Sequence, residues 1–188
     1  MTFWIDFKQV IVMRVRNLTL LLSMVVYGLL GHTSSFGQEY EPWTGAVAGS
    51  NIHLGSNENL KSVGRLINRG RTEGAVRAAS RYLDSLTSNQ RSGRTSTYVY
   101  DAYNALCIAL TADKQFDKAM EACDQAIEMS PARWQAINSR GSLNYKTGKY
   151  EAALNDYREA LEKAPNLTRV RKIIEHNVEI SQARVMGN

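Results

Sequence analysis

The chain has 188 residues, 23 Lys+Arg against 18 Asp+Glu, 2 Cys and 3 Pro, and is 44% hydrophobic and 22% charged. This composition excludes collagen-like, disulfide-dense and wholly disordered classes, and the length allows a core without covalent staples. The net charge of +5 is a local property: residues 61–94 carry +6, whereas residues 95–165 carry −2.

Leu18 to Leu30 reads LTLLLSMVVYGLL, thirteen residues without a charge, with Arg14 and Arg16 before it and GHTSSFGQ after it. A positive flank, a short apolar run and a small-residue tail are the layout of a secretory signal peptide over residues 1–37. Ser35 and Gly37 fit the small positions before a cut at Gln38, and Met13 offers a start with a more usual leader than Met1. The alternative is an uncleaved N-terminal membrane anchor, for which the run falls short of the ~20 apolar residues a bilayer needs. The expected location is periplasmic or secreted. Residues 38–56 have no period and read as an irregular segment.

Residues 57–97 read as a degenerate helical hairpin and loop. Leu60, Val63 and Ile67 share one face, and Gly70 suits the residue after a helix. Val76, Ala79, Leu83 and Leu86 share a second face, with Thr72 as its expected cap. Lys61, Arg65, Arg69, Arg77 and Arg81 recur at helical spacing. They are either a solvated face or a surface for an anionic envelope lipid or polymer.

Residues 98–131 laid over 132–165 agree without a gap. Identical pairs are Ala102/Ala136, Asn104/Asn138, Ala119/Ala153, Ala126/Ala160, Glu128/Glu162 and Pro131/Pro165. Chance would give roughly two. Each unit reads as two helices. Tyr103, Leu106, Cys107 and Leu110 form the first apolar face, and Phe116, Ala119, Met120, Cys123, Ala126 and Ile127 the second. Small residues at Cys107 and Gly141, Ala119 and Ala153, and Ala126 and Ala160 allow close helix approach, and Tyr150 and Tyr157 fill wider gaps. Residues 166–188 read as a capping helix and tail, with Asn166 as its expected cap.

This pattern resembles the tetratricopeptide-repeat (TPR) family, in the form of a small exported bacterial-type member. Two departures stand out: Arg140 replaces a large apolar residue, and Asn144 replaces an aromatic, with Tyr145 next to it. The resemblance implies an all-α, right-handed solenoid of helical hairpins, here two clear repeats, a degenerate N-terminal hairpin and a C-terminal capping helix. It also implies a concave groove lined by the first helices. Mapped onto this chain, the groove candidates are Asp101, Asn104, Ile108, Thr111, Gln135, Asn138, Ser142, Tyr145 and Lys146. Lys146 is the one cation among them, and Asn104 and Asn138 are expected to form a row of amides for a bound backbone.

No metal-ligand spacing, phosphate-binding loop or nucleophile elbow occurs, so no catalytic residue, metal or cofactor is expected. Cys107 and Cys123 are either two buried apolar residues or a disulfide tying one hairpin. The expected function is non-catalytic: a scaffold that holds a segment of a protein partner, with no nucleic-acid partner expected of an exported chain. The alternative is docking on an anionic surface through the Arg-rich hairpin.

Overall fold

A computed structural model describes Leu54 and residues 57–88 and 96–187. The expected signal peptide, most of the irregular segment, Arg91 and Arg94 lie outside the described residues. Within them the chain is entirely helical. We number the helices α1 (Glu58–Asn68), α2 (Thr72–Thr87), α3 (Ser96–Ala112), α4 (Phe116–Met129), α5 (Trp134–Lys146), α6 (Tyr150–Lys163) and α7 (Thr168–Met186).

The helices pair as antiparallel hairpins, α1 with α2, α3 with α4 and α5 with α6, and α7 closes the array on α6. All three hairpin turns have one geometry. A residue with positive φ follows each first helix: Gly70 at 69°, Lys114 at 60° and Gly148 at 76°. The next N–H then reaches back five residues, from Arg71 to Leu66, Gln115 to Leu110 and Lys149 to Asn144, at 2.9, 3.0 and 2.8 Å. This left-handed closure meets carbonyls that the helix end leaves unpaired. The shared turn makes α1–α2 a hairpin of the same kind as the other two, despite its weaker sequence period.

α1 packs on α3 and α3 on α5, whereas successive second helices make no comparable contact. The first helices therefore line the inner side of the array. Buried faces follow from this placement. α1 buries only Leu60, Val63 and Gly64, while α5 buries Ala136 through Ser139 and Gly141 through Tyr145. A helix flanked on several sides loses the one-sided apolar stripe of a surface helix. Fully buried Ile137 and Leu143 each contribute about 1.5–3 kcal/mol of apolar burial.

Two expected caps are corrected. Thr72 is the first residue of α2, not its cap, and its hydroxyl donates to Asp113 Oδ1 in the next hairpin's turn. Asn166 lies before the cap of α7, which is Leu167 and makes no side-chain bond. Tertiary contacts take priority over local capping at both places. α7 runs on to Met186.

The two family departures belong to one polar network. Arg140 Nη2 donates to Asp156 Oδ1 at 2.7 Å and Nη1 to Asp124 Oδ1 at 2.9 Å. Asn144 Nδ2 donates to the other Asp156 oxygen at 2.8 Å. Burial pushes the Asp156 carboxyl above its ordinary range while Arg140 pulls it down, and Asp156 in turn holds Arg140 more firmly protonated. Tyr145 takes up the aromatic packing, edge-on to Tyr150 with ring centroids 5.2 Å apart.

Candidate functional site

The inner face is built where α3 meets the start of α5. No side chain of its own caps α5. Instead the Tyr100 phenol oxygen accepts the Ala136 N–H at 3.0 Å, serving from α3 as a cap in trans. The Arg133 guanidinium lies over the Tyr100 ring, 3.7 Å from its centroid, and its Nη2 donates to Asp101 Oδ1 at 2.8 Å. This stacked ion pair fixes the register between the two repeats. Burial raises the Asp101 carboxyl above its usual range, against the opposing pull of Arg133.

One turn further along α3 is Asn104, and two residues beyond Arg133 is Gln135. Asn104 Oδ1, Gln135 Oε1 and Arg133 Nη1 are buried polar atoms without a hydrogen-bond partner. Buried polar groups are almost always paired, so these three atoms on α3 and the start of α5 are unusual.

The nine sequence-derived groove candidates divide. Asp101 meets Arg133 on the α3–α5 face, and Asn104 on α3 and Gln135 on α5 each carry a buried oxygen without a partner. Ile108 and Thr111 are buried, since α3 is covered by α1 on one side and α5 on the other, and the Thr111 hydroxyl donates to the Cys107 carbonyl at 2.8 Å. Asn138 is corrected from an open groove position to a buried one. Its Oδ1 accepts from Asn177 Nδ2 of α7 at 3.0 Å. Ser142 is also fully buried, donating to the Asn138 carbonyl and accepting from the Tyr157 hydroxyl. Tyr145 is buried and accepts from Arg184 Nε of α7 at 3.3 Å, leaving Lys146 exposed at the end of α5. The expected row of Asn104 and Asn138 is therefore broken: α7 occupies the second site.

Sequence reasoning missed Tyr100 and Arg133. Arg133 falls between Pro131 and α5, and its counterpart one period earlier is Val99, so the repeat gave no signal for it. Lys146 is accordingly not the sole cation of this face.

The basic residues of the first hairpin are exposed and in part paired within their own helices. Lys61 and Arg65 lie 2.8 and 3.7 Å from Glu58, and Arg77 lies 3.5 Å from Glu73. Cys107 and Cys123 form a disulfide between α3 and α4, with Cα atoms 5.0 Å apart, within the range such a bridge requires. Of the two readings of these thiols, the structure takes the bridge. Among the described residues no cluster of three His, Cys, Asp or Glu side chains could hold a metal ion. No described helix is long and apolar enough to cross a membrane.

This arrangement defines a helical-hairpin repeat protein whose first helices face a common inner surface. Residues 106–177 match the family model described as tetratricopeptide repeat. The chain is 26% identical over 119 residues to DnaJ homolog subfamily C member 3 of Gallus gallus, covering 63% of this chain and 22% of that protein. This chain thus spans about a fifth of the length of that curated relative. Among solved structures, the TPR domain of P58(IPK) superposes with a TM-score of 0.52 at 20% identity, over 70% of this chain and 34% of that one. The first TPR of Spaghetti (RPAP3), bound to the HSP90 peptide SRMEEVD, gives 0.52 at 19% identity over 72% and 98% of the two chains. Residues 106–177 are thus similar to tetratricopeptide repeats, and the described helices share the helical-hairpin fold of these solved TPR structures.

Proposed function

We propose that this protein is an exported, non-catalytic adaptor that holds a segment of a partner protein on the inner face between α3 and α5. One observation carries the reading: polar atoms of Asn104 on α3, Gln135 on α5 and Arg133 at the start of α5 have no hydrogen-bond partner. The Spaghetti (RPAP3) domain, similar in fold, is described as bound to a peptide, which supports peptide capture as the mode. Export is supported by the leader-like residues 1–37 and by the Cys107–Cys123 bridge, since disulfides persist in oxidising compartments.

Site-specific photo-crosslinking in cells tests the face. A photoreactive residue at Asn104 should give a discrete adduct, and one at Arg158, exposed on α6, should not. Equal adducts from both positions would sink the groove reading. Fractionation with intact-mass measurement tests export. The expected species begins near Gln38 in the envelope or medium, and a full-length soluble cytoplasmic species would contradict it.

A further inference from the structure

The Cys107–Cys123 bridge lies where no exchange reagent reaches it. Both cysteines are fully buried. They share one apolar cluster with Leu110, Ala119, Ala122 and Leu143, and Val76 packs against it. Leu143 comes from α5 and Val76 from α2, so the cluster is complete only when the hairpins on both sides have docked. A cavity of about 350 Å³ is lined by residues of α2, α3 and α4 that include Leu106 and Ala122, each the chain neighbour of a bridging cysteine. Neither cysteine lines that cavity.

Making or breaking this bridge needs direct access to sulfur. In thiol–disulfide exchange a thiolate attacks one sulfur of a disulfide and passes through a mixed disulfide. With a protein oxidant, that intermediate hangs a second polypeptide on Cys107 or Cys123. The buried cluster has no room for it, because packed interiors hold few voids larger than a water molecule. Before docking, the geometry is favourable. The two cysteines are 16 residues apart, on the two helices of one hairpin. Bringing them together closes a short loop and needs no contact from the other hairpins.

We infer that the bridge is installed on the unpacked chain, by thiol–disulfide exchange with a protein that carries a disulfide, and that docking of the neighbouring hairpins then seals it. One cysteine thiolate attacks the oxidant's disulfide, forming the mixed disulfide and expelling one oxidant thiolate. The other cysteine thiolate attacks the mixed disulfide at this chain's sulfur, forming the Cys107–Cys123 bond and expelling the second. Two electrons pass to the oxidant, which leaves as a dithiol carrying the two thiol protons. Folding of this chain is thereby placed downstream of a disulfide-supplying reaction. The inference shares with the proposed function only the premise of an oxidising compartment, which fractionation tests separately.

Two kinetic measurements on the full chain test this. Dithiothreitol is added to the bridged protein, native or in urea, and alkylation followed by intact mass counts the thiols released with time. Native reduction should be at least about 100-fold slower than reduction in urea, since it waits for the cluster to open. The chain is then reduced in urea and either kept there or refolded without oxidant, and oxidised glutathione is added to each. The bridge should form at least about 100-fold faster in urea than in the refolded chain. A reduced chain that fails to refold supports the inference too, because the bridge must then precede the fold. A smaller gap in either measurement overturns it.

Discussion

The two clear repeats solve the same packing problem with opposite chemistry. In the hairpin α5–α6, Gly141 provides a seat for the Tyr157 ring. A Cβ at Gly141 would lie 2.7 Å from a ring carbon. One period earlier, in α3–α4, the same two positions are Cys107 and Cys123, and a covalent bridge replaces the ring and its seat. The pattern repeats a turn away. Leu106, Leu110 and Ala122 form an apolar contact in α3–α4, where α5–α6 has Arg140, Asn144 and Asp156 in a hydrogen-bonded network. One backbone geometry thus tolerates a staple beside apolar packing in one unit and a ring seat beside a buried ion pair in the next. The repeat dictates which positions touch, not what chemistry fills them.

Removing the staple should have the largest effect. The bridge closes a loop between residues 16 apart, and Cys107→Ser with Cys123→Ser should cost about 3 kcal/mol in chemical denaturation. Grafting the other repeat's solution, Cys107→Gly with Cys123→Tyr, should regain part of that loss. A graft less stable than the Ser pair would show that the two solutions are not interchangeable.

Breaking the network comes next. Asp156→Ala leaves Asn144 unpaired and Arg140 with Asp124 alone, and should cost about 2–3 kcal/mol, less than a fully buried pair because Arg140 is 28% exposed. The triple change Arg140→Leu, Asn144→Leu and Asp156→Ala copies the first repeat and should fall within about 1.5 kcal/mol of the parent. A triple variant as unstable as Asp156→Ala would mean the network is needed beyond its packing.

Asn138→Ala should cost about 1–3 kcal/mol, since it removes the buried bond to the Asn177 amide of α7. Asn104→Ala, at the same position one period earlier, should stay within about 0.5 kcal/mol, because its oxygen has no partner to lose. Equal losses in thermal melts would contradict the division of this pair into an unpartnered and a partnered site. The smallest effect is expected at the turns. Lys114 holds the left-handed conformation that Gly70 and Gly148 adopt elsewhere, so Lys114→Gly should gain up to about 1 kcal/mol. A loss of stability there would show that the Lys side chain contributes to the turn.

The fold was legible because a 34-residue period with matched Ala and Pro positions survives in residues 98–165, and the small residues fall where helices touch. The site was less so. Asn104 and Asn138 look equivalent in sequence, and only the docking of α7 separates them. Arg140 and Asn144 read as defects in the repeat until Asp156 on the partner helix joins them. Arg133 and Tyr100 act across a repeat boundary, where the period carries no information. Burial and bridging of Cys107 and Cys123 share one sequence pattern, since both require inward-facing helix positions.

Native-state hydrogen exchange with and without reductant tests the contrast between the repeats most directly. Hairpin arrays couple mainly through neighbours, so a local cross-link should support its own unit most. Reduction should lower protection in α3 and α4 by about 100-fold, the equivalent of the expected loss, with a clearly smaller fall in α5, α6 and α7. A uniform fall along the array, or unchanged protection in α3 and α4, would contradict the account that the first repeat is held by its bridge and the second by its polar network and ring seat.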